Sequence, residues 1–341
     1  MRRRRSGQLT AVLVLAAVTV LFAIISAVGI GAVSIMTRGL YGQRASDFYA
    51  ADTSDYAQIS MFVAEDAYLA VSDIESASSK YTDELKAVSL EAKDGARLFI
   101  DAYSCEGEVN VSTPDEGLIS ASLTVKATAV GGDFFDIHRL EFISGQPFYD
   151  DDVTSQRAVL DELAAWRLYG ASDIAGMTVV IDGTIYEIAG VVKAEDYDYY
   201  GIVPRIYIPY TMWNEMNDAP PITCYEAVLP EPLTGFAEEL VKKAFSLDDE
   251  SYEIKVNSER YSLLSLLEGS SDTFGRGTRS NEVYYPHWEN HALEIENRCT
   301  VWAVVSAVSA VIAGLSAVVI IMLSLTWLSK FISEYREKHR R

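Results

Sequence analysis

Residue types that carry out chemistry are few in this chain, and one pair stands at a spacing that has a chemical meaning. His287 and His291 are four residues apart, with Glu289 between them. On a helix this spacing places both imidazoles on one face, as in some zinc sites. The surrounding sequence lacks a zinc-peptidase pattern, since Trp288 follows His287 directly. We expect polar residues beside a membrane here, and a metal site formed by this pair is the alternative.

Other arrangements that would indicate catalysis are absent from the sequence. His138 and His339 are isolated, so no Ser-His-Asp or Cys-His set can be assembled around them. No Gly-x4-Gly-Lys-Ser/Thr motif occurs, because the GRGT run at 275–278 lacks the lysine and a preceding strand. We therefore expect no enzymatic activity, no cofactor and no ATP hydrolysis by this chain.

The three cysteines lack the CxxC spacing of redox and zinc sites. Cys105 and Cys224 either pair in an oxidising compartment or remain separate buried thiols, and the sequence leaves both alternatives open. Cys299 borders an apolar run, and we expect it to be unpaired.

Aromatic residues are concentrated in one short acidic stretch. Large aromatic side chains contribute much of the energy of both cores and interfaces. We expect local core packing for most of them, and a surface facing a partner or substrate is the alternative. The residues are Tyr197, Tyr199, Tyr200, Tyr207, Tyr210 and Trp213.

Charge is strongly partitioned along the chain. The net charge is −21, yet both ends are basic, with four arginines at 2–5 and further lysines and arginines after residue 329. The segment between the two basic ends therefore carries a net charge more negative than that of the whole chain. A domain that acidic repels nucleic acid and anionic lipid headgroups, so we exclude nucleic-acid binding.

Two charge-free apolar runs, 9–36 and 300–328, predict membrane-spanning helices, because about 20 apolar residues cross the hydrocarbon core. A signal peptide cleaved after Val28 is the alternative for the first run. The second contains Ser306, Ala307, Ser309, Ala310, Gly314 and Ser316, small residues that allow close helix packing. Because basic flanks stay in the cytoplasm, we expect cytoplasmic tails at 1–8 and 329–341. Residues 37–299 would then lie outside the plasma membrane.

Periodicity predicts an α+β outer domain. Apolar residues from Tyr56 to Leu69 follow helical spacing, so we expect 37–117 to be mostly helical, with a polar break at 104–117. Alternation from Leu118 to Thr128 predicts a strand. Asp182-Gly183 predicts a hairpin turn. We further expect a strand at 157–160, a helix at 161–169, and a strand–helix–strand unit at 223–256 with parallel strands.

Residues 127–210 resemble the MacB-like periplasmic core domain of ABC-transporter permeases, in the FtsX/MacB-type superfamily. The resemblance is carried by GDFF at 132–135, SGQPF at 144–148, AVL at 158–160, VIDGTIYEIAGVV at 180–192 and YIP at 207–209. The positions that match the family pattern are Phe134, Phe135, Gly145, Phe148, Gly170, Gly176, Gly183, Gly190 and Pro209.

This resemblance implies a porter-like part built from 40–125 and 220–298, with an inserted subdomain at about 130–215. It also implies a separate ABC ATPase as partner. The candidate ATPase-docking residues are Glu334, Tyr335, Arg336 and Glu337. The chain departs from the pattern in having Asp161 at a usual glycine and in ending after its second apolar run. We expect a further permease subunit, identical or different, to supply the membrane helices that follow the second one in the family pattern.

Two functions fit these observations. The first is a permease-like membrane subunit whose outer domain couples the motion of a separate ATPase to substrate export or handling outside the membrane. The alternative is a membrane-anchored accessory or sensor protein that does not transport.

Overall fold

A computed structural model describes residues 2–49, 55–91, 96–114, 121–150, 156–195, 203–216, 221–248, 250–270, 279–280 and 283–339. The chain divides into two compact units. One contains residues 40–260 and 275–294, and the other contains 1–39, 261–274 and 295–341. We describe each unit by itself.

The described residues contain long helices near both ends and mixed elements between them. The helices are α1 (Arg2–Met36), α2 (Ser46–Tyr49), α3 (Val71–Ala87), α4 (Phe134–His138), α5 (Glu162–Tyr169), α6 (Tyr210–Met216), α7 (Phe236–Ala244), α8 (Leu263–Glu268) and α9 (His287–Lys338). The strands are β1 (Tyr56–Val63), β2 (Ile100–Ser112), β3 (Ser122–Gly132), β4 (Phe142–Gly145), β5 (Arg157–Asp161), β6 (Thr178–Ile181), β7 (Thr184–Val192), β8 (Arg205–Pro209), β9 (Cys224–Pro230), β10 (Tyr252–Val256), β11 (Arg279–Ser280) and β12 (Val283–Tyr284).

Ten of these strands form one mixed sheet. Its order is β10-β1-β9-β2-β3-β8-β5-β7-β4, and β6 pairs with both β2 and β7. Most neighbours are antiparallel, whereas the β3–β8 and β5–β7 pairs are parallel. The structure confirms the predicted α+β class. The boundaries of the predicted insert remain a prediction, and its strands continue the same sheet.

The sheet separates two hydrophobic clusters, because alternate side chains of a strand point to opposite faces. On the first face, Ile59 and Met61 of β1 join a core that includes residues of α3 and α7. On the second face, Phe62 and Cys224 join a core that includes α4 and Trp288. The second face therefore receives the beginning of α9.

The prediction of a mostly helical 37–117 region is wrong. Tyr56–Val63 is a strand buried on both faces, so it shows no alternation, and its apolar residues matched helical spacing by coincidence. The predicted polar break at 104–117 is also wrong, since Ile100–Ser112 is a 13-residue strand. Its outer half alternates, with buried Val109 and Val111 between exposed polar residues.

The other predicted elements are confirmed with shifted bounds, and residues 118–120 of the predicted 118–128 strand lie outside the described residues. The hairpin turn places Asp182 and Gly183 at φ 42° and 89°, as Asp-Gly hairpin turns require. Asp161 caps α5 by accepting a hydrogen bond from the Ala164 N–H at 2.6 Å. The predicted strand–helix–strand unit is β9-α7-β10. Its two strands are parallel to each other but not adjacent, because β1 lies between them, antiparallel to both.

The second unit contains two helices that are long and apolar enough to cross a membrane. The apolar stretch of α1 is Leu9–Met36, and that of α9 lies within His287–Ser333. Inside this unit the two helices approach closely. A Cβ atom added to Gly29 would overlap the hydroxyl of Ser306 and stand 3.1 Å from the Trp302 carbonyl oxygen. Ser306 and Ser309 are buried, so small residues permit this packing as predicted.

Replacing Gly29 by isoleucine is expected to destabilise this helix pair by about 1–3 kcal/mol, because the branched side chain forces the helices apart. The same change at Gly31 is the control, since nothing lies within 4 Å of a Cβ added there. Thermal unfolding of the full chain in one detergent measures the effect. Equal melting temperatures for Gly29→Ile and Gly31→Ile would show that the helices do not pack at Gly29.

Candidate functional site at the start of the last helix

The first three residues of α9 are buried side by side, and each is held by a different part of the sheet-containing unit. His287 lies between two carboxylates, Trp288 packs among aromatic rings, and Glu289 pairs with an arginine. We call His287, Trp288 and Glu289 the helix anchor. The same helix also contains the second stretch that is long and apolar enough to cross a membrane.

Glu289 forms a two-pronged ion pair with Arg260. The two Arg260 nitrogens Nη1 and Nη2 donate to Oε2 and Oε1 of Glu289 at 2.9 and 2.8 Å. The side chains are 5% and 1% exposed, so water hardly screens the pair. Parallel hydrogen bonds of this kind fix orientation as well as attraction. They hold the first turn of α9 against the segment that follows β10.

The ion pair is one end of a series of buried hydrogen bonds. Arg260 Nη1 also donates to Asn257 Oδ1 at 3.3 Å, and Asn257 Nδ2 donates to Ser60 Oγ at 2.8 Å. Ser60 in turn donates to Glu226 Oε1 at 2.9 Å. Ser60 and Glu226 are direct cross-strand partners on β1 and β9. This series of hydrogen bonds therefore connects α9 to strands β1 and β9 of the sheet.

His138 is the other end of this hydrogen-bond series, beyond Glu226. Its Nε2 lies 2.6 Å from Glu226 Oε2, and both side chains are almost fully buried. His138 is the last residue of α4, whose first residue is the family-pattern Phe134. The imidazole stacks on the Phe134 ring, with centroids 4.2 Å apart. The series of buried polar contacts thus meets an aromatic cluster at α4. We use this name for the rings of Phe134, Phe135, Phe148 and Tyr207.

Aromatic packing holds Trp288. Its ring lies edge-on to Phe134 and His138, with centroid separations of 5.6 and 4.7 Å. Phe134 and Phe135 pack against each other and against Tyr207. Edge-to-face pairs add about 0.5–1.5 kcal/mol each beyond the burial of their area. The aromatic cluster therefore fixes the position of the first turn of α9.

His287 contacts two carboxylates at once. Its Nδ1 lies 2.6 Å from Glu106 Oε1 on β2, and its Nε2 lies 2.8 Å from Glu195 Oε2 after β7. Arg205 of β8 approaches Glu106 at 3.5 Å. Two carboxylates at both ring nitrogens require the imidazole to donate at each, which only the protonated form can do.

Titration of these groups follows from burial and neighbouring charge. Burial opposes a charge on His287, but the carboxylates of Glu106 and Glu195 outweigh it and raise the pKa above its ordinary value. Burial raises the pKa of nearby Asp161 to about 6, despite hydrogen bonds that favour its ionised form. Burial and neighbouring charge therefore raise the pKa values of both His287 and Asp161.

The structure gives no support to a metal site formed by His287 and His291, the alternative raised by their spacing in the sequence. Both ring nitrogens of His287 face carboxylate oxygens, which leaves no lone pair directed at a cation. His291 lies one turn further along α9. Among the described residues, no group of three or more histidine, cysteine or acidic side chains could hold a metal ion.

The family-pattern residues divide between a buried aromatic cluster and several turns. Phe134, Phe135 and Phe148 are buried together, with Phe135 and Phe148 centroids 5.1 Å apart. Gly145 and Gly190 are paired across β4 and β7, and a Cβ at Gly190 would stand 2.8 Å from the Phe142 ring. Pro209 ends β8. The remaining pattern glycines have positive φ: Gly170, Gly176 and Gly183.

The cysteines are free and buried. Cys105 and Cys224 belong to clusters on opposite faces of the sheet, so of the two alternatives the structure has separate thiols. Burial raises the pKa of Cys105 to about 12, and burial together with Glu226 raises that of Cys224. Both remain protonated and unreactive.

The aromatic stretch divides between buried and undescribed residues. Tyr207, Tyr210 and Trp213 are 2–5% exposed and belong to the core, as expected for most of the stretch. Tyr197, Tyr199 and Tyr200 lie outside the described residues. The candidate docking residues Glu334, Tyr335, Arg336 and Glu337 all lie in the last turns of α9, where Tyr335 is 56% exposed. Their role remains a prediction.

Sequence reasoning did not find the partners of the helix anchor. Arg260, Glu226 and Glu106 come from segments far apart in the sequence, and nothing local marks them as neighbours. One signal was present: Ser60 and Glu226 are polar residues inside otherwise apolar runs, which buried strands contain only when they are paired.

Comparison with known proteins supports the resemblance. A curated relative, the macrolide export ATP-binding/permease protein MacB of Chromobacterium violaceum, is 28% identical over 130 residues, which is 35% of this chain and 20% of the relative. The chain thus matches about a fifth of that relative's length.

Solved structures with a similar arrangement include two extracytoplasmic regions. The periplasmic region of MacB from Actinobacillus actinomycetemcomitans is 17% identical, with a TM-score of 0.42, and the match covers 65% of this chain and 94% of that one. The extracellular domain of the ABC-type transporter YknZ from Gram-positive bacteria is 16% identical, with a TM-score of 0.41, over 58% of this chain and 99% of that one.

The family model described as the MacB-like periplasmic core domain matches residues 16–229, which is more than half of the chain. This stretch contains the GDFF and SGQPF motifs and the aromatic cluster beneath α9. The chain therefore belongs to the MacB-like periplasmic core domain family of ABC-permease-type membrane proteins.

Proposed function

We propose that this chain is a membrane subunit of an ABC transport complex in which α9 carries motion between a separate ATPase and the outer domain. The observation that supports this most is the helix anchor. A single helix of 52 residues begins with three buried, individually held side chains and also contains a membrane-spanning stretch.

The physical argument concerns how a helix transmits force. A helix rises about 1.5 Å per residue and holds its length through its own hydrogen bonds, so displacement of one end moves the other. That displacement reaches a domain only if the attachment does not slip. The Arg260–Glu289 pair, the Trp288 packing and the His287 contacts restrain the first turn of α9 in three directions.

The proposal places both chain ends in the cytoplasm and residues 37–299 outside the plasma membrane. Basic flanks support this orientation, since lysine and arginine are retained on the cytoplasmic side. Both helices are long and apolar enough to cross a membrane, and two crossings would bring both ends to the same side.

Labelling of engineered cysteines tests the orientation. Leu233 is 75% exposed, so Leu233→Cys is expected to react with a membrane-impermeant maleimide in intact cells. Ser333→Cys, in the exposed last turns of α9, is expected to react only after the membrane is permeabilised. The native cysteines are buried and give the unlabelled background. Labelling of Ser333→Cys but not Leu233→Cys in intact cells would contradict the orientation.

Copurification tests the partner. The tagged chain, extracted in mild detergent, is expected to bring down a protein with a Gly-x4-Gly-Lys-Ser/Thr motif and vanadate-sensitive ATPase activity. Removing residues 330–341 is expected to abolish this recovery while the chain remains folded. Recovery that is unchanged by the truncation would overturn the docking role of the last turns. Failure to recover any ATPase would favour the accessory, non-transporting alternative.

A further inference from the structure

The cluster around His287 contains more ionisable groups than mechanical attachment requires. Glu106 comes from β2, Glu195 follows β7, Arg205 belongs to β8 and Asp161 ends β5. The side chains of His287 and Arg205 are 8% and 7% exposed, and that of Glu106 is 14% exposed. Buried hydrophobic or neutral polar residues would hold a helix without any dependence on pH.

The chemistry of imidazole makes this arrangement depend on one proton. Protonated His287 donates from Nδ1 to Glu106 and from Nε2 to Glu195. Neutral imidazole has one N–H and one lone pair. One of the two carboxylates would then face that lone pair, so a favourable charged hydrogen bond would become a repulsive contact in a site with little water.

Other charges also face the cluster. Arg205 forms an ion pair with Glu106 at 3.5 Å, and its positive charge opposes protonation of His287 without outweighing the two carboxylates. Lys126 of β3 pairs with Glu108 at 2.8 Å. On α9 itself, Glu289 is engaged by Arg260. The remaining neighbour, Asp161, adds negative charge when it ionises and makes the cluster retain a proton more strongly.

We propose that loss of a proton from the cluster formed by His287, Glu106, Glu195, Arg205 and Asp161 releases the first turn of α9 from the sheet. The outer domain would then contain a pH-dependent latch, by which we mean these five side chains, closed in a mildly acidic medium and opened as the medium becomes alkaline. The release itself does not depend on an ATPase. Its consequence, weaker transmission along α9, rests on the proposed function.

The direction of the effect follows from linkage. His287 has a pKa in the folded protein above its unfolded value of about 6.5, so its stabilising contribution is complete below that value and is lost as pH rises through the folded pKa. The pKa of Asp161, which burial raises to about 6, makes the stability of the folded domain fall with rising pH in the same direction, at lower pH. Both groups therefore stabilise the folded domain in acid, and His287 does so through its contacts in the latch.

Hydrogen exchange of the full chain in nanodiscs tests the latch. Protection factors of the amides at 287–291, corrected for the intrinsic pH dependence of exchange, are measured between about pH 5 and 9, a range that spans the ordinary histidine pKa and values raised above it. For the native protein we expect protection to fall by about tenfold or more as pH rises, the factor that corresponds to losing one hydrogen bond to a charged group. A flat profile would overturn the proposal.

Three variants make the test specific. His287→Gln is expected to remove the pH dependence, whereas His339→Gln, at an exposed position just after the end of α9, is expected to retain it. Glu195→Gln removes one attracting charge and is expected to shift the midpoint of the transition to lower pH. If His287→Gln does not fold, the Glu195→Gln midpoint decides, and an unshifted midpoint would contradict the latch. ATPase recovery is measured separately, so failure of one proposal is distinguishable from failure of the other.

Discussion

Replacing Arg260 by leucine is expected to lower the free energy of unfolding of the outer domain by about 3–5 kcal/mol, because Glu289 would remain buried without its partner. Glu289 is 1% exposed and accepts two hydrogen bonds from the guanidinium. A carboxylate that loses such a partner must either stay charged in a site with little water or take up a proton.

Chemical denaturation of the full chain in one detergent, followed by tryptophan fluorescence, measures this effect. Lys243→Met is the matched control. Its pair with Glu239 on α7 has both side chains more than 60% exposed, and exposed pairs contribute about 0–1 kcal/mol. The double variant Arg260→Met with Glu289→Leu is expected to recover much of the loss, since no unpaired charge remains. Equal effects of Arg260→Leu and Lys243→Met would show that the anchor pair is not desolvated.

Truncating Phe134 to alanine is the second large effect, with an expected loss of about 3–5 kcal/mol, as for other buried phenylalanines. Phe134 is 2% exposed and contacts Phe135, His138, Tyr207 and Trp288. Its removal leaves a cavity directly beneath the first turn of α9, so the packing of Trp288 and the stacking of His138 are lost together.

The same denaturation assay measures this loss, and Ile185→Ala is its control. Ile185 lies on β7 but is 58% exposed, so its truncation is expected to change stability by no more than about 0.5 kcal/mol. If Phe134→Ala unfolds at the same denaturant concentration as the native protein, the assignment of this ring to the core under α9 is contradicted.

Elements with a strong local signal were predicted from the sequence. The Asp182-Gly183 turn requires positive φ at both positions, and few other residue pairs adopt that backbone readily. Asp161 and Gly170 stand at the two ends of α5, where the first caps the helix and the second takes a left-handed conformation. Such local rules hold whatever surrounds them.

Elements decided by tertiary packing were not predictable in this way. Strand β1 lies between β10 and β9 with both faces covered, so burial removed the alternation that identifies a strand. The polar residues that it buries, Gln58 and Ser60, are satisfied by distant partners, such as Glu226, 166 residues away from Ser60. No local pattern contains that information.

The family motifs have a physical explanation in this structure. The paired phenylalanines at 134–135 and Phe148 pack into one aromatic cluster, and Trp288 of α9 rests on it. Gly190 is small because the Phe142 ring and the Gln146 carbonyl oxygen occupy the space of a side chain. The phenylalanines of two motifs therefore form part of the surface on which Trp288 packs.

Hydrogen exchange of the full chain at about pH 6, where His287 is protonated, tests the attachment of α9 most directly. If the anchor fixes the first turns of α9 to the sheet, amides at 287–294 are expected to exchange only through global unfolding, as we also expect for the buried strand Tyr56–Val63. We predict equal free energies of exchange for the two segments, and an equal loss in both for Arg260→Leu. Rapid exchange at 287–294 beside a fully protected 56–63 strand would contradict the account.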